Sequence, residues 1–88
     1  MQIINIDVHE LAPPEPMTVI LQALADLLPE QCLHVRHNRE PFPLYEKLTT
    51  AGWAYYCQQP NEGDIRIYIF RQSLQPEFDQ FIQDQGQL

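Results

Sequence analysis

Residues 3–28 read IINIDVHELAPPEPMTVILQALADLL, and the change of period inside this stretch decides the fold. Ile3 to Val8 repeats every second residue: Ile4, Ile6 and Val8 share one face, while Ile3, Asn5 and Asp7 share the other. That is the signature of a strand. His9 to Pro16 interrupts it, with Pro13, Pro14 and Pro16 forbidding regular structure inside the loop. Pro16 suits the first turn of a helix, and Glu15 beside it is favoured there by the helix dipole. From Met17 the spacing becomes helical. Met17, Ile20, Leu21, Leu24, Leu27 and Leu28 form one apolar stripe, which Pro29 ends.

The same alternation of periods continues outward. Cys32 to His37 is a second strand, with Leu33 and Val35 toward the core and His34 and Arg36 away from it. Asn38 to Pro43 is a loop limited by Pro41 and Pro43. Leu44, Leu48 and Ala51 outline a two-turn helix that Gly52 terminates. Trp53–Gln59 and Ile65–Arg71 are strands joined by the polar turn Pro60-Asn61-Glu62-Gly63-Asp64, a hairpin signature. The order predicts an α+β two-layer sandwich, β-α-β-α-β-β, with a mixed four-stranded sheet and both helices on one face. Residues 1–71 form this domain. Residues 72–88 form a tail in which Phe78, Phe81 and Ile82 predict a short amphipathic helix followed by a frayed end.

Such a sheet leaves one face bare. Tyr68 and Phe70, with aromatic side chains from the third strand, put too much apolar surface there to stay wet. Either the tail covers it or a second copy of the chain does, as a homodimer through that face or through the tail.

The chain has 88 residues, 44% of them hydrophobic, enough for a thin core in one domain. Its net charge is −7, from 12 acidic and 5 basic residues, which argues against nucleic acid as a partner. No apolar run approaches the ~20 residues of a membrane span. The start lacks the basic region of a secretory signal, so a cytoplasmic protein is expected. Cys32 and Cys57 are too far apart for a metal knuckle or a redox pair and are expected as free thiols.

The segment Ile6 to Pro16 resembles the opening of TusA/SirA-like proteins, which begin with a strand, a Leu-containing loop and a Cys-Pro-x-Pro motif at the first helix. Pro14 and Pro16 match the motif's prolines, and Pro13 stands in the cysteine's place. In that family the cysteine carries a persulfide, and the helix N-terminus lowers its pKa. A proline cannot do this, so the resemblance implies the fold without the sulfur chemistry. Asp7 to Pro16, His37 to Tyr45 and the pair Gly52-Trp53 are together similar to a cysteine-less sister group, a bacterial domain of unknown function sometimes fused to hemerythrin-like domains. The resemblance covers roughly residues 3–71.

Two parallel strands deliver their following loops to one sheet edge, where open α/β folds place ligands. His9, Glu10 and Glu15 are therefore expected near His37, Arg39 and Glu40. One reading is a transition-metal site built on His9 and His37 with a nearby carboxylate; the other has His37 bonding the loop backbone or capping the second helix, with His9 simply exposed. Arg39 either binds an anion or a partner's carboxylate, or pairs internally with Glu15 or Glu40. No catalytic residue set is visible. The leading expectation is a module that docks a partner protein through Glu15, His37, Arg39, Glu40 and the rigid proline loops, the alternative a metal-binding accessory or sensor.

Overall fold

The computed structural model describes residues 1–86; residues 87 and 88 of the predicted tail lie outside it. Strands β1 (Gln2–Asp7), β2 (Gln31–His37), β3 (Trp53–Asn61) and β4 (Asp64–Arg71) form one sheet in the order β1-β2-β4-β3. β1 and β2 are parallel, and β4 runs antiparallel to both β2 and β3. Helix α1 (Glu15–Asp26) joins β1 to β2. Helix α2 (Phe42–Thr50) carries the chain from β2 past β4 to β3. A 3₁₀ turn, Gln72–Leu74, leads into α3 (Gln75–Gly86).

The alternation of each strand sorts the side chains. Leu33, Val35, Ile65, Ile67 and Ile69 meet Ile20, Leu24 and Leu27 from the α1 side and Leu44, Tyr45 and Leu48 of α2. The register places Leu33 opposite Ile69, Val35 opposite Ile67 and His37 opposite Ile65. Both crossover helices thus share one face, in the expected two-layer arrangement. The stripe on α1 is narrower than its sequence implies: Leu21 and Leu28 are exposed. The helix ends at Asp26, so Leu28 lies beyond it, and a helix in one contact buries only the arc facing the sheet.

On the second face, α3 covers half of the sheet. Phe78 stacks on Phe70 with ring centroids 4.2 Å apart, and Cys32, Tyr68, Phe70 and Phe78 form a second buried cluster. The aromatic surface that the sequence leaves bare is therefore covered within the chain. The half beyond the helix is polar: Arg36 and Arg66 reach Asp64, Arg36 also reaches Asp7, and His34 hydrogen-bonds Asn5.

Two boundaries differ from expectation. The β3–β4 hairpin is tighter than a five-residue turn, with Asn61 pairing with Asp64 across an irregularity between Gln58 and Asn61. Pro60 is tolerated inside β3 because β3 is an edge strand, where a missing N–H has no ladder partner to lose. Gly63 turns the corner at φ +76, a conformation open to glycine. Helix α2 also starts earlier, with Pro43 inside its first turn, where its fixed φ suits the helix.

Candidate functional site

The parallel pairing of β1 and β2 brings the loops that follow them together. Val8 N–H donates to Arg36 O at 2.9 Å, and Asn38 Nδ2 donates to His9 O at 2.8 Å. Where the two loops turn into α1 and α2 there is a cleft of about 260 Å³, lined by Pro13, Pro14, Pro16, Met17, His37, Arg39, Glu40, Pro41 and Pro43. Proline rings from both loops form most of its walls, so it is apolar and rigid.

His37 is the buried polar residue in that wall, beside the charged Arg39 and Glu40. It continues the inward row of Leu33 and Val35 on β2, which is why its side chain is buried, only 4% exposed. Its Nδ1 accepts the backbone N–H groups of Asn38 (2.9 Å) and Arg39 (3.2 Å). Two donors on Nδ1 require the proton to sit on Nε2. The hydrogen bonds of the ring are both at Nδ1, so Nε2 has no partner among the described residues, and the ring belongs to the cleft lining. Burial, and the neighbouring Arg39 charge, push the His37 pKa below its usual value, so the neutral donor form persists at pH 7. The expectation that His37 binds the loop backbone holds. It caps its own loop, leaving the second nitrogen to the cleft.

Arg39 stands exposed at the rim. Arg36 and Arg66 are paired with carboxylates, and Arg71 lies over the Trp53 ring at 4.5 Å. Among the described residues Arg39 makes no ion pair, neither with Glu15 nor with Glu40. Glu40 is engaged elsewhere, accepting the Tyr45 hydroxyl at 3.1 Å. Burial, with Cys57 and Glu40 beside it, holds the Tyr45 hydroxyl well above its ordinary pKa, so it stays a donor. Tyr45 in turn stacks parallel on Tyr55, centroids 4.0 Å apart, and contacts Phe42 edge-on.

The sequence-predicted residues divide. His37, Arg39 and Glu40 line one cleft; Glu15, exposed at the start of α1, does not line it. His9 sits in a separate depression with Asp7, Glu10 and Leu11. Its Nδ1 lies 2.6 Å from Asp7 Oδ1, and its Nε2 is 3.9 Å from Glu10 Oε1. The His9 backbone N–H and ring hold the Asp7 carboxyl below its usual pKa. Among the described residues no group of three or more His, Cys, Asp or Glu side chains is arranged to hold a metal ion.

Sequence reasoning passed over Met17 and Phe42. Met17 belongs to the α1 stripe yet lines the cleft. Phe42, between Pro41 and Pro43, is 67% exposed beside the cleft. Its position off the Leu44–Leu48 stripe was a legible signal that it faces outward.

Burial raises the pKa of both thiols. Cys32 is fully buried beneath α3, which pushes its pKa up to about 12, and burial raises that of Cys57 as well. Both cysteines are free. Among the described residues no helix is long and apolar enough to cross a membrane.

A family model described as "Uncharacterized conserved protein (DUF2249)" matches residues 5–71, the whole of the sheet beyond the first residues of β1 together with both crossover helices. No curated protein and no solved structure matches the chain.

Proposed function

The chain belongs to the DUF2249 family of uncharacterized conserved proteins, and from that starting point we propose that it is a binding module, without sulfur-transfer activity, which docks a partner protein at the proline-lined cleft. The observation that carries this reading is the pairing of an exposed aromatic, Phe42, with a rigid, proline-lined cleft to which His37 contributes a ring whose Nε2–H makes no hydrogen bond among the described residues. Exposed large aromatics beside preformed clefts are what binding surfaces use as anchors. Prolines on both sides keep the surface preorganised, so little ordering opposes association.

The likeness of the opening to TusA/SirA-like proteins supports the negative half of the proposal. Pro13 takes the place of the motif cysteine and lines the cleft at the helix entrance. The remaining thiols have raised pKa values, the reverse of what a sulfur carrier needs. No observation favours the metal reading, because His9 is turned to Asp7 and His37 commits Nδ1 to its own loop.

Crosslinking and pull-down with the wild-type chain, Phe42→Ala and Arg39→Gln test the docking surface. The single variants are expected to weaken capture about tenfold each, the usual scale for an anchor residue. Recovery of the same partners at the same yield by both variants would sink the assignment. Incubation with a cysteine desulfurase and cysteine is expected to add no sulfur to Cys32 or Cys57 by mass spectrometry. A stoichiometric gain of one sulfur atom would overturn the non-carrier reading.

A further inference from the structure

We infer that the cleft recognises the C-terminal residue of its partner, a free α-carboxylate followed inward by a small apolar side chain. The inference rests on the docking reading above and names what is docked. Three observations converge on a carboxylate. The His37 residue is only 4% exposed and lines the cleft; its Nδ1 is taken by two loop N–H groups, and its Nε2–H has no acceptor among the described residues. Arg39 carries a guanidinium without an ion-pair partner on the rim of the same cleft, in a chain whose net charge is −7. The cleft also opens at the start of the twelve-residue helix α1, whose dipole favours negative charge.

The N-terminus of α1 adds one specific donor. Glu15 N–H is used by Ala12 O, Thr18 N–H by Pro14 O, and Pro16 has none. That leaves the Met17 N–H, on a residue that lines the cleft, without a hydrogen-bond partner among the described residues. Met17 N–H, His37 Nε2–H and the Arg39 guanidinium make a donor set on a cleft that also holds the Glu40 carboxylate. The Glu40 carboxylate already accepts from Tyr45. A terminal carboxylate supplies two strong acceptor oxygens for such a set.

The walls choose what accompanies the carboxylate. The rings of Pro13, Pro14, Pro16, Pro41 and Pro43 and the thioether of Met17 present apolar surface with no side-chain donor. A volume of about 260 Å³ falls just below the range that houses drug-sized ligands and suits one aliphatic residue. The exposed Phe42 lies outside the cleft, where the preceding residues of a peptide would cross it. A peptide end uses both features; a free small acid uses only the first.

The test is a titration of the ¹⁵N-labelled full chain with acetyl-Gly-Ser-Gly-Ser-Gly-Leu as the free acid, as its C-terminal amide, and with acetyl-leucine. The free-acid peptide is expected to shift the Met17, Asn38 and Arg39 amide resonances and to bind about tenfold more tightly than the amide, the scale of one charged hydrogen bond. Arg39→Gln, an exposed site that leaves the fold intact, should remove most of that difference. Equal binding of acid and amide would overturn the carboxylate assignment while leaving the docking reading standing. Acetyl-leucine binding as tightly as the peptide would replace a protein terminus with a free acid as the ligand, and the inference would fall. Absence of binding by all three probes, with Phe42→Ala still losing a captured partner, would reject it while sparing the docking surface.

Discussion

Replacing Phe78 with alanine is expected to destabilise the protein by about 3–5 kcal/mol, the scale for emptying a buried phenylalanine site. For a domain of this length, total stability is on the order of 4–13 kcal/mol, so this one side chain carries a large share. The reason is its position. Phe78 is the one fully buried residue of α3; it stacks on Phe70 and sits 5.4 Å from the Tyr68 ring and 5.7 Å from that of Tyr56. The rest of α3 is mostly Gln and acid, and an isolated twelve-residue helix is marginal in water. Truncation is therefore expected to undock the helix instead of leaving an empty cavity beneath it. The readout is Cys32, which lies sealed beneath the helix in the native protein. A thiol reagent should modify Cys32 in Phe78→Ala while Cys32 of the wild-type chain stays protected, and the melting temperature should fall. Phe81→Ala, at a partly buried position, should do both to a smaller extent. An unchanged melting temperature with Cys32 still protected would show that α3 is held by something other than this ring.

How much of this was legible in sequence follows from which interactions are local. Ile4, Ile6 and Val8, then Ile20 and Leu24, announce a strand and a helix by their spacing alone, because period reports which face is buried. The covering of Tyr68 and Phe70 was foreseen as a need, but not which element meets it; that depends on Phe78 reaching them, a contact between distant residues. Pro60 and Pro43 misled boundaries, since proline's penalty depends on whether its N–H would have had a partner, and neither an edge strand nor a first helical turn supplies one. In the site, convergence of the two loops was readable from strand direction. The division between His37 and His9 was not. Asp7, two residues before His9, draws that ring into a separate depression. The two backbone N–H groups that hold His37 come from the turn itself. Arg39 makes no ion pair with Glu40, whose carboxylate instead accepts from Tyr45, a residue stacked on Tyr55; neither contact could be read from the spacing of the sequence.

His37→Ala should lower stability at pH 7 by about 2 kcal/mol, the cost of removing the acceptor that serves two loop N–H groups, and should flatten the acid limb of the stability profile. The sign follows from the native state holding the ring neutral. Burial depresses the folded pKa below the ordinary 6.5, so as pH falls through 6.5 the unfolded chain takes up a proton that the folded chain refuses. Stability contributed by the neutral ring is complete above that value and drains away until the folded pKa is reached. His34, half-buried against Tyr68, is shifted in the same direction and adds to the same limb. The lowered carboxyls Asp7 and Asp64 act separately: their contribution is present above the ordinary 3.8 and is lost only at more acid pH. Urea midpoints measured across this range should therefore fall between pH 6.5 and the onset of carboxylate titration, with a shallower slope in His37→Ala and the residue of the slope due to His34. His37→Gln supplies an amide oxygen that can accept the Asn38 and Arg39 N–H groups without titrating. It is expected to recover part of the stability at pH 7 while keeping the shallow acid limb. An alanine variant as steep as wild type would place the acid sensitivity elsewhere, and would remove the argument that this ring sits neutral, donor outward, at the base of the cleft.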